Sequence, residues 1–255
     1  MPRCVFITGA SSGIGAALAT RYAAEGATLG LLARRSDALQ AFAAQLGTKA
    51  ATYVADVGDF GPVRAAAGDF IARHGVPDIV IANAGISVGT SGAEVDDLPV
   101  LERVLRTNVL GLAATLTPFV RPMCDRGSGI LAGIASVAGF RGLPGAGAYS
   151  GSKAAAIAWL ESLRLELHGT GVAVVTVCPG YIDTPMTRAN PFRMPFLLST
   201  EEAARRIVRA IDARPSQVVI PWQMAVVGYF LRRLPNRLYD ALGARAPRKP
   251  RRPPP

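Results

Sequence analysis

The sequence has few of the residues from which disulfide frameworks and metal sites are built. Its 255 residues include two histidines and three cysteines, Cys4, Cys124 and Cys178. The cysteines are odd in number and far apart, so they indicate neither a disulfide scaffold nor a metal cage, and they favour a reducing compartment. We therefore expect a cytoplasmic protein that binds no metal.

Long hydrophobic runs are also missing. No window of 18 residues is apolar without interruption, which argues against a helix that spans a bilayer. Half of the residues are apolar and 18% are charged, a composition that supports a large packed core and excludes global disorder. A chain of this length fits one large α/β domain better than two small ones.

The positive charge is not spread over the chain. Residues 1–199 carry a net charge of +2, whereas residues 200–255 carry +8 of the total of +10. The excess is therefore a local property of the C-terminal segment, and it says little about the partner of the main domain. Because no recognised nucleic-acid module accompanies it, we expect no specific nucleic-acid partner.

Apolar runs alternate with helix-like segments along the chain. The predicted strands lie at 3–8, 27–33, 50–54, 78–82, 128–136, 172–178 and 217–220. The predicted helices lie at about 13–25, 36–46, 59–74, 99–124, 149–169 and 200–213. Strands that are apolar throughout are typical of a parallel sheet covered on both faces. The alternation predicts a single α/β domain with a doubly wound parallel sheet over 1–220.

The first predicted strand ends in a glycine-rich turn. Gly9, Gly13 and Gly15 give the spacing G-x-x-x-G-x-G, at the start of an amphipathic helix. Glycines at such a turn let the backbone approach a pyrophosphate, whose charge is held by the N–H groups of the helix. An ordinary tight turn is the alternative interpretation. The other candidate cofactor contacts in this turn are Ser11, Ser12 and Ile14.

The second predicted strand ends in Ala33, Arg34 and Arg35. An NAD site often has an acid at this point, where it binds the ribose 2′-hydroxyl. A guanidinium fork instead suits a 2′-phosphate, so Arg34 and Arg35 predict NADP(H) as the cofactor. The alternative is a solvated arginine pair at the start of a helix.

Two further strand ends carry candidate cofactor residues. Asp56 and Val57 follow the third strand, and Asp56 is a candidate acceptor for the adenine amino group. Asn83, Ala84 and Gly85 follow the fourth strand, where Gly85 allows the backbone to pass close to the ribose. Taken alone, each of these motifs favours a helix cap or a turn over a cofactor contact.

A tyrosine and a lysine follow the fifth strand at helical spacing. Ser136 ends the strand region, and Tyr149 and Lys153 share one face of the next predicted helix. An ammonium near a phenol favours the phenolate, so we expect Lys153 to lower the pKa of Tyr149 from about 10. A surface Tyr–Lys pair is the alternative.

With these motifs the chain resembles the short-chain dehydrogenases/reductases over about residues 1–220. The resemblance rests on the order and spacing of residues 8–15, Asp56, Asn83–Gly85, Asn108, Ser136, Tyr149, Lys153, Pro179, Gly180 and Thr184. It implies a Rossmann fold and a hydride transfer between a nicotinamide and a ketone, aldehyde or secondary alcohol. A non-catalytic nucleotide-sensing or scaffold protein on the same fold is the competing hypothesis.

The resemblance also implies roles for individual residues. Tyr149 would be the proton donor in reduction, and Ser136 would hydrogen-bond the substrate oxygen. Lys153 would hold the nicotinamide ribose, and Asn108 would order a water that connects Lys153 to solvent. Other residues implied to lie along the nicotinamide are Pro179, Gly180, Ile182 and Thr184. Ser12 stands where many NADP-preferring members carry a basic residue, which leaves the phosphate contact to Arg34 and Arg35.

Two segments fall outside the alternating pattern. A long loop at 181–199 is rich in large apolar residues and predicts a lipophilic substrate. The expected pocket walls, in this loop and in the segment after Ser136, are Phe140, Leu143, Tyr181, Met186, Phe192, Met194, Phe196 and Leu197. Plain packing onto the core is the alternative for each of them.

The C-terminal part divides into an apolar helical segment at 221–244 and a basic, proline-rich tail at 245–255, which composition predicts to be disordered. An apolar helix at 222–231 must be covered by something. The candidates are the substrate loop, a second subunit of a homo-oligomer, or the inner surface of a membrane contacted by 222–255.

Overall fold

The structure is a computed structural model that describes residues 3–244 and 246–251. Within these residues, seven strands form one parallel sheet in the order β3-β2-β1-β4-β5-β6-β7. The strands are β1 Cys4–Thr8, β2 Thr28–Ala33, β3 Ala50–Val54, β4 Ile79–Ala82, β5 Gly129–Ile134, β6 Val172–Pro179 and β7 Gln217–Ile220. The predicted α/β single-domain fold with a doubly wound sheet is confirmed.

Helices connect successive strands and cover both faces of the sheet. They are α1 Gly13–Ala24, α2 Ser36–Gln45, α3 Phe60–His74, α4 Leu98–Leu105, α5 Gly111–Arg126, α6 Gly147–Glu166, α7 Pro185–Arg188, α8 Thr200–Ala213, α9 Trp222–Arg233 and α10 Asn236–Gly243. Short 3-10 turns occur at Val95–Asp97 and Val137–Gly139. None of the described helices is both long and apolar enough to cross a membrane.

The central strands are largely apolar because they contribute to a core on each face of the sheet. Val5 and Ile7 pack with Leu18 of α1 and Ile207 of α8 on one side of the sheet. Their neighbour Phe6 points to the other face, where helices α3, α5 and α6 cover the sheet. All three β1 residues are fully buried, so no polar face remains to give the strand an alternating pattern.

The order of the strands determines where a ligand can bind. The chain runs from β1 outward to β3 and then crosses back, so that β4 lies on the other side of β1. This reversal of strand order leaves a crevice between the loops that follow β1 and β4, at the carboxyl ends of these strands. The glycine turn after β1 and the segment after β4 therefore border the same crevice.

The helix predicted at 99–124 differs from the structure. It is divided into α4 and α5 by a π-helical segment at Arg106–Leu110. A π turn holds one more residue than an α turn, and such insertions occur frequently at functional sites. Asn108 lies in this segment and is buried.

The C-terminal helices are fixed to the domain by Arg141. Its guanidinium donates to the carbonyl oxygens of Leu231 (3.0 Å) and Leu234 (3.1 Å), at the end of α9. The same guanidinium stacks over the ring of Tyr239 in α10, with its carbon 4.0 Å from the ring centroid. The Tyr239 hydroxyl donates to the carbonyl of Gly142 (2.6 Å). The two helices thus pack on the segment that follows Ser136.

The tail differs from the expectation of disorder over its described part. Arg251 forms two hydrogen bonds with the buried carboxylate of Asp97, at 2.9 and 3.1 Å, and Lys249 donates to Ser87 Oγ at 2.8 Å. The composition of the tail shows that it cannot form a core of its own. It does not show that an acidic side chain elsewhere on the domain binds the tail. Residues 245 and 252–255 of the predicted tail lie outside the described residues.

Candidate active site

A cavity of about 790 Å³ lies at the carboxyl ends of the strands. It is lined by all but one of the candidate cofactor residues: Gly9, Ser11, Ser12, Gly13, Ile14, Arg34, Arg35, Asp56, Val57, Asn83, Ala84, Gly85, Tyr149, Lys153, Pro179, Gly180, Ile182 and Thr184. Gly15 lies behind the turn, and Ser136 also faces the cavity. Residues from six loops far apart in sequence therefore converge on one crevice.

The glycine turn is shaped by close backbone approaches. Gly9 has a φ of +67°, and a Cβ placed there would lie 2.8 Å from the Cα of Ala84. At Gly15 a Cβ would overlap the carbonyl oxygen of Gly9 and lie 2.5 Å from Asn83 Nδ2. Only glycine fits these two positions, so the spacing is a packing requirement as well as a means of approaching a ligand.

Asn83 holds this turn in place from the neighbouring strand. Its side-chain amide donates to the carbonyl oxygens of Thr8 (3.0 Å) and Gly9 (3.3 Å). The Thr8 hydroxyl in turn accepts from the backbone N–H groups of Asn83 and Ala84, each at 3.3 Å. Asn83 therefore acts chiefly as a support for the glycine turn, a contribution that the sequence does not reveal.

The site fits a dinucleotide phosphate. Helix α1 begins at the glycine turn, and no side chain caps its first N–H groups, which face the cavity. Such N–H groups bind anions, because the helix dipole adds to their partial positive charge. Gly13, which lines the cavity in the same turn, has no side chain to hold a pyrophosphate away from these donors.

Arg34 and Asp56, which follow β2 and β3, form an ion pair at the edge of the cavity. Arg34 Nη1 lies 3.4 Å from Asp56 Oδ2, and both side chains are largely exposed. The second carboxylate oxygen of Asp56 accepts from the backbone N–H of Gly58 at 2.8 Å. Arg35 is the residue that precedes α2, so both arginines lie at the end of β2. The sequence predicts both residues at this site but not their pairing.

Ser136 and Tyr149 are brought together by a turn and a helix. Ser136 precedes the 3-10 turn at Val137–Gly139, and its Oγ accepts from the Ala138 N–H at 3.1 Å. Tyr149 lies in the first turn of α6 and lines the same cavity as Ser136, whose side chain is close enough to act on the pKa of the tyrosine. The two hydroxyl groups predicted to act on one substrate oxygen are therefore neighbours.

Lys153 lies one turn further along α6 and is almost completely buried. Its Nζ donates to the carbonyl of Ile134 at 2.7 Å and lies 5.8 Å from the centroid of the Tyr149 ring. Burial lowers the pKa of Lys153 to about 8, because the charged ammonium loses its hydration.

Lys153 was expected to lower the pKa of Tyr149, and the structure indicates the opposite shift. Burial raises the pKa of Tyr149, and the hydrogen bond from Ser136 only partly opposes this. Tyr149 is partly exposed and lines the cavity, so the rise comes from the protein packed around it and not from isolation of the side chain from the cavity. Because burial also disfavours the Lys153 ammonium, desolvation dominates at both groups.

Asn108 reaches the site from the π-helical segment. Its amide nitrogen donates to the Ile86 carbonyl and to Ser152 Oγ, both at 2.9 Å, and its oxygen accepts from the Ile86 N–H at 2.8 Å. Ser152 Oγ donates to the carbonyl of Tyr149 at 2.7 Å. The side chain of Asn108 thus ties the loop after β4 to the start of α6.

At the end of the cavity that follows β6, Gly180 lies against α9. A Cβ at Gly180 would lie 2.7 Å from Met224 Cγ, so the C-terminal helix forms the back of this end of the cavity. Thr184 caps α7, accepting from the Thr187 N–H at 3.3 Å. The sequence did not single out several residues that also line the cavity: Leu32, Ala55, Ile86, Thr107, Ile134, Ala135, Pro185 and Thr187. Ile86 was detectable, since it directly follows the Asn83–Gly85 motif.

Most of the predicted substrate walls lie outside this cavity. Of the eight residues named, Met186 is the one that lines it among the described residues. Phe140 instead packs on α9. The Arg232 guanidinium lies 3.8 Å from the centroid of the Phe140 ring, and the ring lies so close to Gly228 that a Cβ there would overlap it. Tyr181 and Phe192 pack on each other, with ring centroids 6.5 Å apart. The sequence shows that these side chains are apolar, but it does not show whether they pack against the protein or line the cavity.

Comparison with known proteins agrees with this geometry. Residues 3–193 match the family model described as short chain dehydrogenase. The chain is 38% identical to an uncharacterised oxidoreductase of Myxococcus xanthus, over 95% of this chain and 97% of that protein. It is 39% identical to the NAD(+)-dependent 2-dehydro-3-deoxy-L-rhamnonate dehydrogenase of a Sphingomonas species, over 74% of this chain and 76% of that one.

A solved structure shares the fold and holds a nucleotide analogue. The alcohol dehydrogenase of Thermococcus sibiricus, complexed with 5-hydroxy-NADP, superposes with a TM-score of 0.76 at 27% identity, covering 86% of this chain and 95% of that one. Some mycobacterial relatives, 34% identical and described as probable oxidoreductases, are longer, and this chain spans 40% of their length. The family model, the relatives and the fold agree, and the protein is an oxidoreductase of the short-chain dehydrogenase family, whose members use a nicotinamide cofactor.

Proposed function

We propose that the protein is an NADP(H)-dependent oxidoreductase that interconverts a lipophilic ketone or aldehyde with the corresponding alcohol. The observation that carries the proposal is the pair of hydroxyl groups of Ser136 and Tyr149 in the same cavity as the glycine turn. Two donors aimed at one point stabilise the negative charge that develops on a carbonyl oxygen during reduction.

Each residue has a defined part in this reaction. The bound nicotinamide supplies the hydride for reduction and accepts it in oxidation. Tyr149 gives its hydroxyl proton to the carbonyl oxygen, while Ser136 donates a hydrogen bond to the same atom. Lys153, with a pKa of about 8, exchanges a proton near neutral pH and so provides a route for returning the proton to Tyr149. Asn108 positions the start of α6, on which Tyr149 and Lys153 lie.

The preference for NADP(H) is supported by charge at the end of β2. Arg34 and Arg35 line the cavity there, and Ala33 stands where an acid would bind a 2′-hydroxyl. A guanidinium can bind a phosphate through two parallel hydrogen bonds. The ion pair with Asp56 does not oppose this role, because Asp56 also has the Gly58 N–H as a partner.

Homo-oligomerisation and a cytoplasmic location belong to the same proposal. Val95, Leu98 and Leu165 are large apolar side chains that remain exposed in the single chain, which supports contact with further copies. Light scattering coupled to size-exclusion chromatography measures the assembly, and a monomer at all concentrations would contradict this part.

The reaction is tested by a substrate panel. Ketones, aldehydes and secondary alcohols of increasing apolar size are incubated with reduced or oxidised cofactor, and nicotinamide absorbance is followed. We expect turnover with NADPH, weaker turnover with NADH, and rates that rise with apolar size. Tyr149→Phe is the matched control for contaminating activity. Equal or better use of NADH would contradict the cofactor assignment, and turnover that survives in Tyr149→Phe would contradict the mechanism.

A further inference from the structure

The two C-terminal helices leave most of their apolar side chains outside the fold. We call this the C-terminal surface. It consists of exposed side chains of α9 and α10: Trp222, Val226, Tyr229, Phe230, Leu238 and Leu242. In α9 only Met224 and Gly228 are buried, and in α10 no residue is. Apolar groups concentrated in this way mark an interaction site.

This surface is a built feature of the protein. Arg141 bonds the carbonyls that end α9 and stacks on Tyr239 of α10. Phe140 lies between Gly228 and the guanidinium of Arg232. These contacts occupy the inner side of the helices, so the outward apolar face has a fixed orientation.

The exposed side chains of α9 form one stripe. Trp222, Val226 and Phe230 are four residues apart and lie above one another, and Tyr229 adjoins Phe230 with ring centroids 5.6 Å apart. With its 12 residues, α9 is about 18 Å long, far short of the roughly 30 Å of a bilayer core. Such a stripe suits a helix that lies along an interface, parallel to its plane.

Positive charge borders the stripe. Arg233 and Arg237 lie on these helices, with Asp240 as the one acid between Trp222 and Gly243. The Arg233 guanidinium lies 3.6 Å from the centroid of the Tyr229 ring, so the cation sits beside the apolar face. Tryptophan and tyrosine flanked by arginine are typical of side chains at the boundary between lipid headgroups and acyl chains.

We propose that the C-terminal surface docks on an anionic lipid bilayer. Charge complementarity favours this occupant, since a bilayer rich in anionic lipid attracts the arginines while its acyl region takes the aromatic rings. A second copy related by a two-fold axis would oppose the same surface and bring like-charged arginines together. This inference is independent of the proposed reaction.

Vesicle binding by the full chain tests the proposal. The protein is cosedimented with vesicles of phosphatidylcholine alone, or of phosphatidylcholine with phosphatidylserine, at low and high salt. We expect binding to the anionic vesicles that weakens with salt. Arg233→Gln with Arg237→Gln should weaken it by roughly fivefold per charge, because each basic residue near the surface contributes about 1 kcal/mol.

Apolar variants separate the lipid surface from a protein partner. Trp222→Ser with Phe230→Ser should abolish vesicle binding while leaving the fold intact, since these side chains are 67% and 65% exposed. Phe60→Ser, at an exposed position on α3, is the matched control and should bind as the wild type does. The proposal is overturned if the wild type binds no vesicle, or if the double variants bind vesicles as the wild type does. It is also overturned if the wild type binds no vesicle but forms an oligomer that the Trp222/Phe230 double variant dissociates.

Discussion

The buried lysine makes the stability of the protein depend on pH in a direction opposite to that of a paired surface lysine. Lys153 is 4% exposed, and burial lowers its pKa from 10.5 to about 8. Between these values the folded chain has released a proton that the unfolded chain still holds. The unfolding free energy therefore rises with pH across this window, and the cost of burying the charge is present in full below pH 8.

The size of the effect follows from the width of the window. The interval from about 8 to 10.5, at about 1.4 kcal/mol per pKa unit, corresponds to about 3 kcal/mol. Lys153→Met removes the titrating group. The unfolding free energy of the variant minus that of the wild type should therefore be about 3 kcal/mol larger at neutral pH than at pH 10.5. The lost hydrogen bond to Ile134 changes this difference almost equally at both pH values, so it cancels.

The measurement is urea unfolding followed by circular dichroism, across the pH range and without cofactor, since a bound ligand adds its own linkage. Lys49→Met, at an exposed position, controls for removing one positive charge from the chain. The reasoning is refuted if the variant and the wild type differ by the same amount at every pH.

Three further variants address the site. Tyr149→Phe removes the proton and keeps the ring, so turnover should fall by roughly 10²-fold or more with cofactor binding nearly unchanged, as measured by steady-state kinetics and calorimetry. Arg34→Ala should weaken NADPH binding by about 1.5–3 kcal/mol and barely affect NADH, and equal losses for both would contradict the phosphate contact. Gly15→Ala should weaken the binding of NADPH and NADH alike, because the new Cβ would displace the Gly9 carbonyl and the Asn83 amide. Unchanged binding of both cofactors would show that the turn can accommodate a Cβ at this position.

The sequence predicted those parts of the molecule that depend on local pattern. Every predicted strand is present, because strands buried on both faces leave continuous apolar runs. Most candidate cofactor residues converge because they follow strand ends, which parallel strands bring to one edge, whereas Tyr149 and Lys153 reach that edge from the start of α6. Position along the chain was therefore enough to find the cavity.

The remainder depends on contacts between distant segments. The pairing of Arg34 with Asp56 and of Arg251 with Asp97 cannot be read from either partner alone. The pKa of Tyr149 was predicted to fall because spacing shows the lysine but not the burial of both groups. Phe140 was expected to line a substrate pocket, whereas its partner is Gly228 in α9, nearly ninety residues further along the chain.

The contacts of Arg141 and Gly180 join the C-terminal helices to the catalytic end of the cavity. Arg141 belongs to the segment that leaves Ser136, and Gly180 touches Met224 of α9. A ligand that shifts these backbone segments changes the packing of α9, and a partner that binds α9 shifts the same segments. Thermodynamic linkage makes such an effect reciprocal: the factor by which the partner changes cofactor affinity equals the factor by which the cofactor changes partner affinity. The coupling can therefore be measured from either end, and the two values must agree.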